Sequence, residues 1–121
     1  MAWQFRNDIP IYTQLIAQIQ QRIVSGALLP GERLPSVRDL AAEAGVNPNT
    51  MQRALAELER TGLVYTQRTA GRFVTEDAAV VDSAKQELAH QQIGAFLHRM
   101  ERMGYDREQT AQLVRSWEED A

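Results

Sequence analysis

The segment that decides the fold runs from Ser36 to Thr61, with the sequence SVRDLAAEAGVNPNTMQRALAELERT. Its pattern predicts two short helices joined by a tight turn. On a helical wheel of the second helix, one face is apolar and the opposite face is polar and partly basic. The apolar face consists of Met51, Ala54, Leu55 and Leu58, and the opposite face of Asn49, Gln52, Arg53, Ala56 and Arg60. The first face suits a protein core, and the second suits contact with a partner.

Local signals predict where the first of these helices begins and ends. Ser36 followed by Asp39 forms an S-x-x-D capping pattern, so we expect Ser36 to be the N-cap of a helix over Val37–Ala44. Gly45 suits the left-handed turn that follows, because glycine has no Cβ. Val46 is then the apolar residue that fills the space between the two helices.

The start of the second helix is equally well marked. Asn47 is a favourable N-cap, and Pro48 follows at the first helical position, where its missing N–H costs nothing. We expect this helix to run to Thr61 and to be closed by Gly62. Its N-terminal turn is therefore predicted at a defined place in the chain.

Short alternating segments follow the helix pair. LVYTQ at 63–67 and RFVTE at 72–76 flank a turn at 68–71, and this arrangement predicts a β-hairpin. Before the pair, apolar residues at helical spacing predict a helix that starts at residue 12 or 13 and stops at Ser25-Gly26. A helix-turn-helix followed by such a hairpin is a winged helix.

The C-terminal part of the chain is predicted to form two further helices. A long helix from about residue 77 to Gly104 and a last helix capped by Asp106 carry apolar stripes, but they contain too few residues to enclose a core alone. The predicted fold is mainly α with a small β-hairpin: an N-terminal winged helix-turn-helix domain over 1–76 and a C-terminal two-helix dimerisation region over 77–121. The residues expected at the dimer interface are Ile93, Phe96, Leu97, Met100, Leu113, Val114 and Trp117.

Composition excludes several classes of protein. The 121 residues include no cysteine, so there are no disulfides and no thiolate metal sites. No apolar run approaches the roughly 20 residues that cross a bilayer, and the first residues lack the apolar core of a secretory signal. We therefore expect a cytoplasmic protein without membrane association.

The two parts of the chain differ in charge. Residues 1–75 carry eight Arg against six acids, whereas residues 76–121 carry five basic residues against ten acids. This asymmetry is compatible with DNA binding by the N-terminal part.

The polar face of the second helix has the chemistry for contacting DNA. In helix-turn-helix proteins the N-terminal residues of this helix reach base edges in the major groove, where Asn and Gln pair with adenine and Arg with guanine. The residues expected to do so are Asn47, Asn49, Thr50, Gln52 and Arg53. We expect Arg38 to clamp the DNA backbone or reach a base. Arg68 and Arg72 flank the wing tip, where they are expected to enter the minor groove or hold phosphates.

These motifs resemble the winged-helix domain of the GntR family of bacterial transcription regulators. The matching patterns are I-x-SG-x-L-x-PG-x-x-LPS-x-R-x-LA, VN-x-x-T and A-x-x-x-LE-x-x-G-L, and the short tail is similar to the YtrA-type subfamily, whose tail dimerises. The resemblance implies that Arg38, the opening of the recognition helix and the wing contact DNA, with Thr69 and Gly71 among the wing residues. Thr69 replaces the first glycine of the usual wing G-x-G, and Arg72 replaces a common threonine.

The resemblance and the residues together predict the partners. A two-fold dimer presents two recognition helices to half-sites about one DNA turn apart, roughly 34 Å, so the operator is expected to be an inverted repeat. The family favours repression, and it implies a small-molecule effector, whose identity the sequence does not indicate. No cofactor and no metal are predicted.

Two other classes of function are weaker interpretations. An enzyme needs converging reactive groups, but His90 and His98 lie eight residues apart on the long helix without clustered acids or cysteine. Surface positions are the better interpretation of both histidines. A winged helix used only as a protein-interaction module, without sequence-specific DNA binding, would need an apolar outer face on the second helix, and this face is polar.

Overall fold

The computed structural model describes residues 2–119, so that residue 1 and residues 120–121 of the predicted domains lie outside the described part. The elements are α1 (Ile11–Val24), α2 (Val37–Ala44), α3 (Pro48–Arg60), β1 (Val64–Gln67), β2 (Gly71–Val74), α4 (Ala78–Arg102) and α5 (Arg107–Ser116). The predicted fold class, mainly α with one small antiparallel β-hairpin, is confirmed. The chain forms two compact units, Met1–Lys85 and Gln86–Ala121.

The turn between α2 and α3 follows the predicted chemistry. The Ser36 side chain accepts a hydrogen bond from the Asp39 backbone N–H at 3.1 Å, which caps α2. Gly45 has a φ of 71°. The N–H groups of Gly45 and Val46 donate to the carbonyls of Ala42 and Ala41, the bonding pattern of a Schellman motif. These bonds stop α2 and turn the chain towards α3.

Helix α3 has a fixed beginning and a fixed end. The Asn47 side chain accepts from the Asn49 backbone N–H at 2.7 Å, and Pro48 occupies the first turn, as predicted. The helix ends at Arg60 with Thr61 as its C-cap. The Leu63 N–H then donates to the Leu58 carbonyl, a bond that leads the chain from α3 into the hairpin.

The core of the first unit lies beneath α3. The apolar face predicted for this helix is fully buried, together with residues of α1, α2 and the hairpin. The buried apolar residues are Leu15, Ile19, Ile23, Leu28, Leu34, Leu40, Ala41, Met51, Ala54, Leu55, Leu58, Leu63, Val64 and Val74. Burying one large aliphatic side chain contributes about 1.5–3 kcal/mol. This core holds the opposite face of α3 towards solvent.

The wing is a two-stranded antiparallel hairpin with a small extension. Val64 pairs with Val74 at its base and Gln67 with Gly71 near its tip. Gly71 therefore belongs to β2, and the turn is shorter than the predicted 68–71. Arg33 forms an isolated bridge with Phe73, which adds a third chain segment to the edge of the hairpin.

Several predicted element ends differ from the structure, among them the start of α1 and the end of α5. Helix α1 begins at Ile11, because Pro10 takes the N-cap position and its carbonyl accepts from the Thr13 hydroxyl. The sequence had suggested a start at residue 12 or 13. Trp117 was expected on the last helix, but α5 ends at Ser116, and Trp117 has an extended backbone with ψ of 131°.

The second unit contains most of α4 and all of α5. The Asp106 carboxylate accepts from the Gln109 backbone N–H, and the Gln109 side chain accepts from Asp106 N–H, so the predicted cap is a complete capping box. No side chain of α4 is fully buried, and Thr110 is the buried residue of α5. The first turns of α4 belong to the first unit, where Val80, Val81 and Ala84 pack against its core.

Within the described residues, no helix has both the length and the apolar character that a membrane crossing requires.

Candidate nucleic-acid interface

The solvent-facing side of α3 carries most of the residues predicted to contact bases. Its side chains stand on the face opposite the buried apolar stripe. Of the predicted DNA contacts, the exposed ones are Arg38, Asn47, Asn49, Gln52, Arg53, Arg68 and Thr69, and the half-buried ones are Thr50, Gly71 and Arg72. The first turn of α3 contains no acidic residue. The positive end of the helix dipole therefore faces solvent without a competing carboxylate.

Asn47 serves first as a structural cap. Its Oδ1 accepts from the Asn49 N–H at 2.7 Å, so the Nδ2 group is the part of this amide that remains available to a partner. Asn49 is exposed and its side chain makes no such capping bond. Of these two amides, Asn49 is therefore the freer for a bidentate contact with a base.

Arg53 is held in place by an aromatic residue of α1. Its guanidinium carbon lies 4.5 Å from the centroid of the Tyr12 ring, a cation–π geometry. Helices α1 and α3 pack together, which brings these two residues into contact. Tyr12 was missed by the sequence reasoning, since no local pattern reveals a contact between residues 12 and 53. A stacked guanidinium keeps its N–H edges free to donate.

Arg72 points towards α3. Its Nε lies 3.4 Å from the Glu59 Oε1, and its Nη1 lies 3.4 Å from the Gln52 Oε1. The Thr66 hydroxyl also donates to Glu59 Oε1. The Arg72 side chain is 17% exposed and that of Glu59 30%. Glu59 thus joins the wing to α3.

A second arginine lies beside the wing without having been predicted there. A Cβ built on Gly71 would lie 3.2 Å from Arg33 Nε, and Gly71 has a φ of 108°. Both the backbone conformation and the close approach favour glycine at this position. Arg33 is exposed, and the hydrogen bond from Leu34 N–H to the Arg72 carbonyl fixes the adjoining backbone.

The arginines of this unit differ in how far their charge is compensated. Arg60, at the far end of α3, pairs with Glu57 at 2.5 Å, and the hydrogen bond from Arg60 holds the pKa of the Glu57 carboxyl below its ordinary value. In the described part of the chain, no carboxylate lies within ion-pair distance of Arg38, Arg53 or Arg68. These three uncompensated charges lie on α2, near the start of α3 and at the wing turn.

The second unit offers an uncovered apolar groove. It has a volume of about 640 Å³ and is lined by Phe96, Met100, Leu113, Val114, Ser116, Trp117 and Glu118. Val114 is 57% exposed and Trp117 70%. Ile93 is likewise exposed, and Leu97 is half-buried. All seven residues expected at a dimer interface lie in this unit.

His90 and His98 are both exposed on α4. Over residues 2–119, no three or more His, Cys, Asp or Glu side chains come together in a group that could hold a metal ion.

The fold and this surface define a class of protein. A helix-turn-helix with a hairpin wing, an acid-free helix N-terminus and uncompensated arginines around it is the architecture of winged-helix proteins that bind duplex DNA. The sequence pattern of bacterial regulatory proteins of the gntR family matches residues 11–74. The chain belongs to the GntR family and is a DNA-binding transcription regulator.

Relatives extend the similarity beyond this domain. The HTH-type transcriptional regulator YhcF of Bacillus subtilis is 40% identical over 116 residues, which cover 96% of each chain. The HTH-type transcriptional repressor YtrA of Bacillus subtilis is 44% identical over 73 residues, 60% of this chain and 56% of that protein. The predicted likeness to YtrA-type regulators is therefore confirmed.

Solved structures agree with the fold. A GntR family transcriptional regulator from Listeria monocytogenes superposes with a TM-score of 0.84 at 38% identity, covering 94% of this chain and 100% of that one. AraR(DBD), crystallised in complex with operator ORX1, has a TM-score of 0.57 at 28% identity, covering 62% of this chain and 96% of that one. Domains of this type thus include one solved on its operator DNA.

Proposed function

We propose that the protein is a cytoplasmic repressor that binds an inverted-repeat operator as a homodimer, through α3 and the wing. The observation that carries this proposal is the outer face of α3. The face begins at a capped turn, is free of acids there and contains Arg53, which, like Arg38 and Arg68, has no carboxylate partner among residues 2–119. A helix of this kind fits the major groove.

The residues expected to contact DNA differ in their roles. Asn49 and Arg53 read base edges, because an amide and a guanidinium can each bond a base with two hydrogen bonds. Thr50 and the Nδ2 group of Asn47 hold the helix against the nearest phosphate or base. Arg38, at the start of α2, contacts the DNA backbone and so contributes affinity with little base preference.

The wing adds a second contact beside the groove. Arg68 and Thr69 lie in the exposed turn of the hairpin, and Gly71 lets the chain turn back closely past Arg33. An arginine at such a tip fits a narrow minor groove or the adjacent phosphates.

Dimerisation is assigned to the second unit. Its apolar groove leaves Val114 and Trp117 largely exposed, and no α4 side chain is fully buried. Large aromatic residues are enriched at protein interfaces, and a second copy of the chain offers a surface of matching chemistry. Two copies related by a two-fold axis then address two half-sites about one DNA turn apart.

Repression is the outcome that the relatives favour. YtrA is named a repressor, and AraR(DBD) was crystallised with operators. A dimer seated on an operator can block transcription by occupying the DNA.

Sedimentation of the full chain tests the dimer. We expect the wild type to sediment as a dimer, and Val114→Asp to sediment as a monomer because it places a charge in the apolar groove. Gln112→Asp introduces the same charge at an exposed polar position of α5 and serves as the matched control. Operator affinity should fall with Val114→Asp only. A wild-type monomer, or a Val114→Asp dimer of unchanged affinity, would overturn the assignment.

A further inference from the structure

Glu59 connects both strands of the wing to the recognition helix. Thr66 and Arg72 face each other across the hairpin, and both donate to the same carboxylate oxygen of Glu59. Because Glu59 lies near the end of α3, one side chain fixes the hairpin relative to this helix. The Arg72 charge is compensated in a partly covered position, unlike the charge of Arg68.

The same arginine fixes the orientation of Gln52. Arg72 Nη1 lies 3.4 Å from the amide of Gln52. A guanidinium has only donors, so the amide atom that faces it must be the oxygen. The Gln52 amide therefore has its oxygen beside a cation, while its NH₂ group, with two donor hydrogens, remains for a partner.

We propose that Arg72 is a positioning residue that restricts Gln52 to donating, so that Gln52 prefers guanine to adenine in the major groove. The inference rests on the proposed function and deepens it. Guanine presents two acceptors, N7 and O6, to the major groove, whereas adenine presents one acceptor and an N6 amino donor. Adenine would have to bring that donor to the Gln52 oxygen, beside the Arg72 cation. The arrangement thus disfavours the usual glutamine–adenine pair.

This role differs from the one that the sequence suggested for Arg72. A compensated, mostly covered guanidinium is poorly placed to hold phosphates, whereas Arg68 at the wing turn is exposed. Arg72 acts on base preference through Gln52, and Arg68 contacts the DNA directly.

The test measures base preference in the full-length protein. DNA sequences bound by the wild type are first selected from a random pool, and Gln52→Ala then identifies the base pair whose preference depends on Gln52. Competition binding gives the ratio of affinities for guanine and adenine at that pair. We expect the wild type to favour guanine, and Arg72→Leu to lower the ratio at least fivefold without changing the preference at other positions.

Arg68→Leu is the matched control, since it removes the same charge from the same hairpin. It should weaken binding to both DNA versions alike and leave the ratio unchanged. Glu59→Gln is a second variant for the case in which Arg72→Leu does not fold, as judged by thermal unfolding. It weakens the hold on Arg72 and should lower the ratio in the same direction.

The possible outcomes distinguish a failure of the role proposed for Arg72 from a failure of the proposed DNA-binding function. A wild type without any preferred sequence would overturn the proposed function itself. A specific wild type that favours adenine at the Gln52 position, or whose ratio withstands both Arg72→Leu and Glu59→Gln, would overturn only the role of Arg72.

Discussion

Arg53→Ala is expected to weaken binding to the cognate operator and to relax preference at one base pair. The guanidinium is exposed, has no carboxylate partner among residues 2–119 and lies 4.5 Å from the Tyr12 ring, so it is held ready to donate. A good bidentate contact with a base is worth about 1–3 kcal/mol. This range corresponds to a roughly 5- to 160-fold loss of affinity.

A substitution of Tyr12 separates the positioning of Arg53 from the contact of Arg53 with a base. Tyr12→Leu keeps an apolar side chain but removes the aromatic face, and an exposed cation–π contact is worth about 0.5–1 kcal/mol. The expected loss of affinity is about two- to fivefold. Because Tyr12 acts through Arg53, adding Tyr12→Leu to Arg53→Ala should cause little further loss.

The assay is fluorescence anisotropy at fixed salt, with a selected operator and a series of single-base variants of it. Arg60→Ala is a suitable control, because Arg60 is paired with Glu57 at the far end of α3 and should change affinity little. Equal weakening of all operator variants by Arg53→Ala would refute direct base contact. Full additivity of the Tyr12 and Arg53 changes would refute the positioning role of the ring.

Three further predictions concern binding, stability and charge. Arg38→Ala should weaken cognate and unrelated DNA alike and reduce the salt dependence of binding, because we propose that Arg38 contacts phosphate; salt titrations of the affinity measure this. Leu55→Ala should lower the free energy of unfolding by about 2–5 kcal/mol in urea titrations, because Leu55 is 1% exposed in the core. Arg60→Ala should raise the pKa of Glu57 towards its ordinary value in NMR titrations, since the Arg60 hydrogen bond keeps that pKa low.

A specific result would contradict each of these three predictions. An Arg38 variant that loses affinity for only one operator base would show a base contact in place of a phosphate contact. A Leu55→Ala variant as stable as the wild type would contradict the burial of the apolar face of α3. Because the pKa of Glu57 is lowered in the folded state, its pairing with Arg60 stabilises the fold at pH values above the unfolded-state pKa of Glu57. This stabilisation is lost as the pH falls through the folded-state pKa. An unchanged Glu57 titration in Arg60→Ala would contradict that pairing.

Helix ends that depend on neighbouring residues were predictable from the sequence. Ser36, Asn47 and Asp106 cap their helices through side chains that reach N–H groups two or three residues away. Such bonds depend only on local residue type and spacing. The buried and exposed faces of α3 followed for a similar reason, because helical periodicity fixes which residues share a face.

Contacts between distant residues were not predictable in this way. The pairing of Arg53 with Tyr12, and the bonds from Arg72 to Glu59 and Gln52, arise only when helices and hairpin are packed together. A sequence pattern places Arg72 next to the wing tip, but it does not show which way the side chain points. The roles that we propose for individual residues of the DNA-binding surface could therefore be inferred only from the structure.

Selection of bound sequences from a random DNA pool, with the purified full-length protein at moderate ionic strength, tests the central claim most directly. The claim is that two copies of α3, related by symmetry, read two half-sites. We expect one enriched inverted repeat whose half-site centres lie about one helical turn, roughly 10 base pairs, apart or a multiple of it. A pool without enrichment, or an enriched site without two-fold symmetry, would contradict it.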